Sequence, residues 1–101
     1  MKESLGAELK VNGISVEINA FVEEFLARAI VGAVSSLRGV EDIKSLQVHQ
    51  KKGNVEITVN GKDVSLTPFP NDIISNTLVG MVSSLRGIDD IDSIDISVEV
   101  G

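Results

Sequence analysis

The chain opens with an alternation of apolar and polar residues that predicts a β-hairpin. Apolar side chains occupy every second position over residues 5–11 and again over residues 14–18. A period of two is that of a strand with one buried face. Between the two runs, Asn12-Gly13 tolerates the positive φ that a two-residue type I′ turn requires at both positions. The pattern therefore predicts two half-buried antiparallel strands.

The apolar spacing then changes to three and four, which predicts a helix over residues 20–38. Asn19 is a suitable N-cap, and acidic residues follow in the early turns, where the helix dipole favours negative charge. Arg38 and Gly39 suit the C-terminal end, the arginine by its charge and the glycine by its access to the left-handed conformation. The apolar positions of the predicted buried face are Val22, Phe25, Leu26, Ala29, Ile30, Ala33, Val34 and Leu37.

This order of elements recurs in the second half of the chain. A loop over residues 40–45 and a weaker alternating run after it complete a unit of two strands, a helix and a third strand. Residues 6–53 align with residues 54–101 at a constant shift of 48, and the run VGAVSSLRG at 31–39 returns as VGMVSSLRG at 79–87. In the second copy, Thr67 is the expected N-cap and Pro68 the expected first helical residue. The sequence therefore predicts a single domain, residues 1–101, made of two tandem ββαβ repeats.

Each predicted strand has one apolar face, so we expect the sheet to be covered on one side only. The two helices are expected to supply that cover, which gives an α+β two-layer sandwich with both helices on one face. The short turn at residues 51–54 makes the third and fourth strands antiparallel neighbours. Each helix is expected to return the chain parallel to the strand before it. A six-stranded mixed sheet in sequential order meets these conditions, and other strand orders stay open.

Composition and charge limit the kinds of molecule that the protein is expected to bind. The 101 residues include nine basic and fifteen acidic ones, and the net charge of −6 disfavours binding to nucleic acid or to an anionic membrane. The absence of cysteine excludes disulfides, zinc–thiolate sites and iron–sulfur clusters. Residues 1–4 are not followed by an apolar signal segment, and the longest apolar stretch is too short to span a bilayer. We therefore expect a cytoplasmic protein without a cofactor.

The repeated helix motif contains the candidate functional residues. A glycine inside a helix costs about 0.5–1 kcal/mol relative to alanine, yet Gly32 and Gly80 occur at the same register of the two helices. Each shares a helix face with a serine four residues later, which favours a close approach of two helices. The alternatives are a ligand site where the C-terminal halves of the helices meet, and a duplication without functional meaning. The helix-packing or interface residues are Gly32, Ser35, Ser36, Gly80, Ser83 and Ser84, and the ligand site would use Ser35, Ser36, Arg38, Ser83, Ser84 and Arg86.

The remaining polar features point away from catalysis. The acidic run over residues 89–95 lacks the glycine and distal glutamate of a calcium loop, which favours a solvated loop over a weak divalent-cation site. His49 is the single histidine; it falls on the polar strand face without an evident partner, so we do not expect it to be catalytic. That face lacks the stacking aromatics and basic surface of an RNA-binding sheet. The sequence thus favours a small non-enzymatic binding or assembly module, with a protein partner or as a homodimer, over a small-ligand-binding protein or enzyme.

Overall fold

The computed structural model describes residues 5–85 and 87–101, and it contains the predicted elements in the predicted order. One six-stranded sheet and two helices form an α+β sandwich. The strands are β1 (Leu5–Val11), β2 (Ile14–Val16), β3 (Ser45–Lys51), β4 (Asn54–Val59), β5 (Lys62–Val64) and β6 (Ser93–Val100), and the helices are α1 (Ala20–Ser35) and α2 (Pro68–Ser83).

All strand pairings in the sheet are antiparallel, so the prediction of a mixed sheet in sequential order is wrong. The order is β2-β1-β6-β3-β4-β5, with β6 between β1 and β3. Helix α1 begins beside the start of β1, where Glu23 accepts a hydrogen bond from the Ala7 N–H at 3.0 Å. Strand β3 begins at the same end, since Ser45 and Gly6 both stand opposite Glu99. The three pairings in turn make β3 parallel to β1 and antiparallel to β2.

The buried side chains of the sheet lie at alternate positions, as the apolar pattern predicts. Leu9, Ile96, Val48 and Ile57 stand opposite one another across four strands, and all are buried. The rows two residues to either side are buried too, whereas the rows between them are polar and at least partly exposed. The helices join the buried sheet positions in a single core cluster through Leu26, Ala27, Ile30 and Val34 of α1 and Ile74, Leu78 and Val82 of α2.

The predicted hairpin turns are confirmed by their backbone angles. Both residues have positive φ in Asn12-Gly13, at 55° and 79°, and in Asn60-Gly61, at 51° and 82°. A third turn with the same signs joins β3 to β4 at Lys52-Gly53, with φ of 49° and 83°. Positive φ at both central residues matches the right-handed twist of the flanking strands. These turns therefore set the registers of the three hairpins.

Helix α1 begins as predicted and ends earlier than predicted. The Asn19 side chain accepts a hydrogen bond from a first-turn N–H at 2.8 Å, which confirms the N-cap. The helix ends at Ser35, and the Ser36 hydroxyl donates to the Ala33 carbonyl at 2.7 Å. A side-chain bond of this kind competes with continuation of the helix. Gly39 has a φ of 80°, so it closes the turn that follows the helix instead of the helix itself.

The hydrogen bonds at the two outer hairpin tips are repeated 48 residues apart. Asn12 donates to the Asp90 carbonyl at 2.7 Å and accepts from the N–H groups of residues 92 and 93 at 2.7 and 3.0 Å. Asn60 makes the matching bonds within residues 42–45, at 2.9, 2.8 and 3.0 Å. Each tip therefore holds the loop that precedes the last strand of the other half.

Candidate interaction surface

The structure places the two repeated SSLRG segments at opposite ends of the helix pair. A groove brings Phe21, near the start of α1, beside Leu85, just after the end of α2. A second depression brings Arg38, after α1, beside Thr67, before α2. The end of each helix thus lies beside the beginning of the other, and a site at which both C-terminal halves meet does not match this arrangement. Arg86 lies outside the described residues.

The serine hydroxyls of these segments bond to their own helices. The bonds are Ser35 Oγ to the Gly32 carbonyl at 3.0 Å, Ser36 Oγ to the Ala33 carbonyl at 2.7 Å, and Ser83 Oγ and Ser84 Oγ to the Gly80 carbonyl at 3.2 and 3.0 Å. Such back-bonding satisfies a serine within a helix or at its end. The hydroxyls therefore have partners without a bound ligand.

The two helical glycines face open space. A Cβ added at Gly32 or at Gly80 would meet no atom within 4 Å beyond the neighbouring residues and the backbone of its own helix. Close helix packing within the chain, which the sequence suggested as the reason for the glycines, is therefore wrong for the described residues. The remaining form of the hypothesis is that these glycines lie at an interface between this chain and another molecule.

A groove of about 480 Å³, whose lining in the described part of the chain is uncharged, runs between the two helices. The Phe21 and Phe25 rings form one wall, with their centroids 6.1 Å apart. The full lining is Phe21, Val22, Phe25 and Leu26 from α1, and Asn76, Thr77, Gly80, Met81, Ser84 and Leu85 from α2 and the turn after it. None of these side chains is charged, so a molecule that fills the groove need not strip water from an ion.

Large exposed apolar side chains continue beyond this groove. The three phenylalanines are the only aromatic residues of the chain, and all are exposed: Phe21 by 74%, Phe25 by 53% and Phe69 by 75%. Ile73 is 50% exposed. Phe69 and Ile73 hold in α2 the positions that Phe21 and Phe25 hold in α1, at the shift of 48 residues. Several large apolar side chains exposed on the same two helices indicate a candidate contact site.

The sequence placed Phe25 on the buried face of the first helix, and it missed two helix positions that the structure buries. Ala27 is fully buried in α1, and Ser75, which holds its position in α2, is buried as well. The buried stripe of each helix is thus rotated toward these small residues. Because they allow the helix to sit close to the sheet, the bulkier residues two positions earlier are left at the edge of the contact. The signal available in the sequence was the small size of Ala27, which follows the buried Leu26 and precedes the buried Ile30 by about one turn.

The open face of the sheet carries a row of charged side chains. Lys10, Asp95, His49 and Glu56 stand opposite one another across four strands. His49 Nδ1 lies 2.5 Å from Asp95 Oδ1, so the histidine has a partner that the sequence did not reveal. Among the described residues, no group of three or more His, Asp or Glu is placed to hold a metal ion. The opposite charges of Lys10 and Asp95 and the contact between Asp95 and His49 are cross-strand pairs of the kind that stabilise a sheet.

Comparison of the chain with known protein families, with characterised proteins and with solved structures finds no match. Neither of the two helices described above has the length and apolar composition needed to cross a membrane. The function is therefore inferred from the surfaces of the molecule: the groove, the exposed apolar side chains near it, and the charged face of the sheet.

Proposed function

We propose that the protein is a non-enzymatic binding or assembly module that works through its helix surface. This surface consists of the groove between α1 and α2 together with Phe21, Phe25, Phe69 and Ile73. The observation that carries the proposal is that all three phenylalanines, the only aromatic residues of the chain, are exposed on this surface. The core of a protein interface is enriched in aromatic residues and methionine and depleted of charge. The helix surface has this composition, which favours another protein surface as its occupant.

The proposed module consists of two copies of one ββαβ unit, with both helices on the same face of the sheet. The pairing registers support the duplication. Val48 stands opposite Ile96, its own counterpart at the shift of 48 residues. The pairing of Leu9 with Ile96 is matched by that of Ile57 with Val48. These registers are related by a pseudo-twofold axis between β3 and β6. The groove that both helices line supports a position of both helices on the same face of the sheet.

Binding of a small ligand, catalysis and nucleic-acid binding fit the described residues less well. The serine hydroxyls of the repeated motif bond to their own helices. The His49–Asp95 contact is one of the cross-strand side-chain pairs that stabilise a sheet. The net charge of −6 opposes the counterion release that drives nucleic-acid binding. The proposal therefore assigns no catalytic residue, no cofactor and no nucleic-acid partner, and it places the protein in the cytoplasm.

Photo-crosslinking in cells that make the protein tests this function. Benzoylphenylalanine replaces Phe21 on the helix surface, and in the control it replaces Ile14, which is similarly exposed but lies in β2. We expect protein adducts from position 21 that are absent from position 14. Equal adducts from both positions, or no adduct from position 21, would contradict the proposal.

A further inference from the structure

We infer that the occupant of the helix surface is a second copy of this chain, so that two copies pack through their helices in a twofold dimer. This inference rests on the proposed function and names the partner. It draws on three properties of the helix surface: its low charge, the apolar area it exposes, and the presence of both projections and depressions on it.

The charge distribution leaves the helix surface as the side on which two acidic copies can meet. Each copy has a net charge of −6, so like charges oppose association wherever carboxylates face one another. Within the two helices the charged residues are Glu23, Glu24, Arg28 and Asp72. Glu24 is paired with Arg28 at 3.4 Å, and Glu23 accepts the N–H of Ala7. Twelve of the fifteen acidic residues therefore lie outside the helices.

The exposed apolar area is of the size that a stable dimer needs. An aromatic side chain presents roughly 200 Å² when fully exposed. At the exposures of 74%, 53%, 75% and 50%, the four large side chains leave about 500 Å² of accessible surface on each copy. A specific interface of standard size buries about 800 Å² per partner. Interfaces are about 56–65% non-polar, so about 500 Å² corresponds to the apolar share of such a patch. The polar surface of the two 16-residue helices, each about 24 Å long, supplies the rest.

The helix surface also carries the two kinds of feature that a self-complementary interface requires. In a twofold dimer one patch must fit a copy of itself. Phe21 and Phe69 project into solvent, while Gly80 forms part of the groove floor with open space above it. A ring from one copy can therefore enter the groove of the other, and twofold symmetry makes the same contact twice. In this contact Gly80 leaves room for a ring of the other copy, which is a role that packing within one chain does not give it.

Sedimentation velocity of the purified 101-residue chain from 1 to 500 μM tests the inference. We expect wild type to reach twice its mass of 10.7 kDa as the concentration rises. Phe21→Ser/Phe69→Ser should weaken the dimer about 100-fold or more, because truncation of buried aromatic anchors is among the most damaging changes to an interface. Ile14→Ser is the matched control, since it removes an equally exposed side chain in the edge strand β2 and should leave the dimer unchanged.

Circular dichroism and urea denaturation of the double variant show whether its fold is intact, which is expected because both rings are exposed. A wild-type protein that stays monomeric at 500 μM overturns the inference. A dimer that Ile14→Ser disrupts and Phe21→Ser/Phe69→Ser does not also overturns it, because that result places the contact at the sheet edge. If position 21 forms adducts only with a different protein, the proposed function stands and the second copy is excluded.

Discussion

One half of the chain contains a buried polar pair whose counterparts in the other half are apolar, and exchanging the two pairs tests their effect on stability. Gln50 Nε2 donates to Ser75 Oγ at 3.0 Å, and both residues are buried. The other amide atom, Gln50 Oε1, is buried and has no hydrogen-bond partner among the described residues. At the shift of 48 residues their counterparts are Val98 and Ala27, which are buried and apolar. We predict that Gln50→Val/Ser75→Ala, which copies the apolar pair, makes the protein more stable.

The expected gain follows from the balance of hydrogen bonds. A buried acceptor without a partner costs about 1–3 kcal/mol, and the single bond that the double variant gives up contributes about 0.5–1.5 kcal/mol. Both replacements change side-chain volume little, which keeps the packing cost low. We therefore expect the free energy of unfolding to rise by about 1 kcal/mol. Ser75→Ala alone should lower it by about 1–2 kcal/mol, because it leaves both amide atoms of Gln50 buried without partners.

Urea denaturation and thermal unfolding measure this difference, at protein concentrations low enough that self-association does not add to stability. A change of 1 kcal/mol corresponds to a shift in Tm of roughly 4–8 °C for a domain of about this size. The matched control is Ala27→Ser/Val98→Gln, which installs the polar pair in the other half and should lower stability by a similar amount. A Gln50→Val/Ser75→Ala protein less stable than wild type would refute the reasoning, since it would mean that Gln50 Oε1 is satisfied in the native state.

Three further changes test other parts of the fold by urea denaturation. Asn60→Ala should lower the free energy of unfolding by about 2–3 kcal/mol, because three hydrogen bonds of about 1 kcal/mol each are lost. Asn12→Ala should lower it by the same amount. A decrease below 1 kcal/mol in both variants would show that the hairpin tips do not hold the loops. Gly32→Ala should raise the free energy of unfolding by about 0.5–1 kcal/mol. The reason is that, outside the chain neighbours and the backbone of its own helix, no atom of the described residues lies within 4 Å of the added Cβ. A decrease would instead support the close packing expected from sequence. Lys52→Asn should raise the free energy of unfolding by about 0.5–1 kcal/mol, because Lys52 has a φ of 49°, where asparagine is less strained; an unchanged midpoint would argue against strain at that turn.

The features predicted correctly from sequence depend on residues close together in the chain. The alternation over residues 5–11 identifies β1, and Asn12-Gly13 identifies its turn by the positive φ that both residues tolerate. Asn19 begins α1 because its side chain bonds to the first turn of the same helix. The helix end was predicted less well, because the hydroxyls of Ser35 and Ser36 compete for the last carbonyls.

The candidate surfaces were less accessible to sequence reasoning because their residues are far apart in the chain. His49 and Asp95 are 46 residues apart, and only the pairing of β3 with β6 brings them together. The exposure of Phe25 likewise depends on which side of α1 packs against the sheet, which the spacing of apolar residues leaves uncertain by about one neighbouring position. The groove requires both helices and is not a property of either one.

The sequence by itself determined the repeating order of strands and helices and the buried positions of the four central strands, because period, turn chemistry and capping are local. It did not do so for the short edge strands β2 and β5, which have no buried residue. Only the tertiary structure decided that β6 lies between β1 and β3 and that the sheet is antiparallel throughout. The reason is that the connection over residues 36–44 is long enough to return to either end of the sheet, so its sequence does not set the direction of β3. The direction of β3 depends on its pairing with β6, a strand of the other half, and hence on contacts between residues about 48 positions apart.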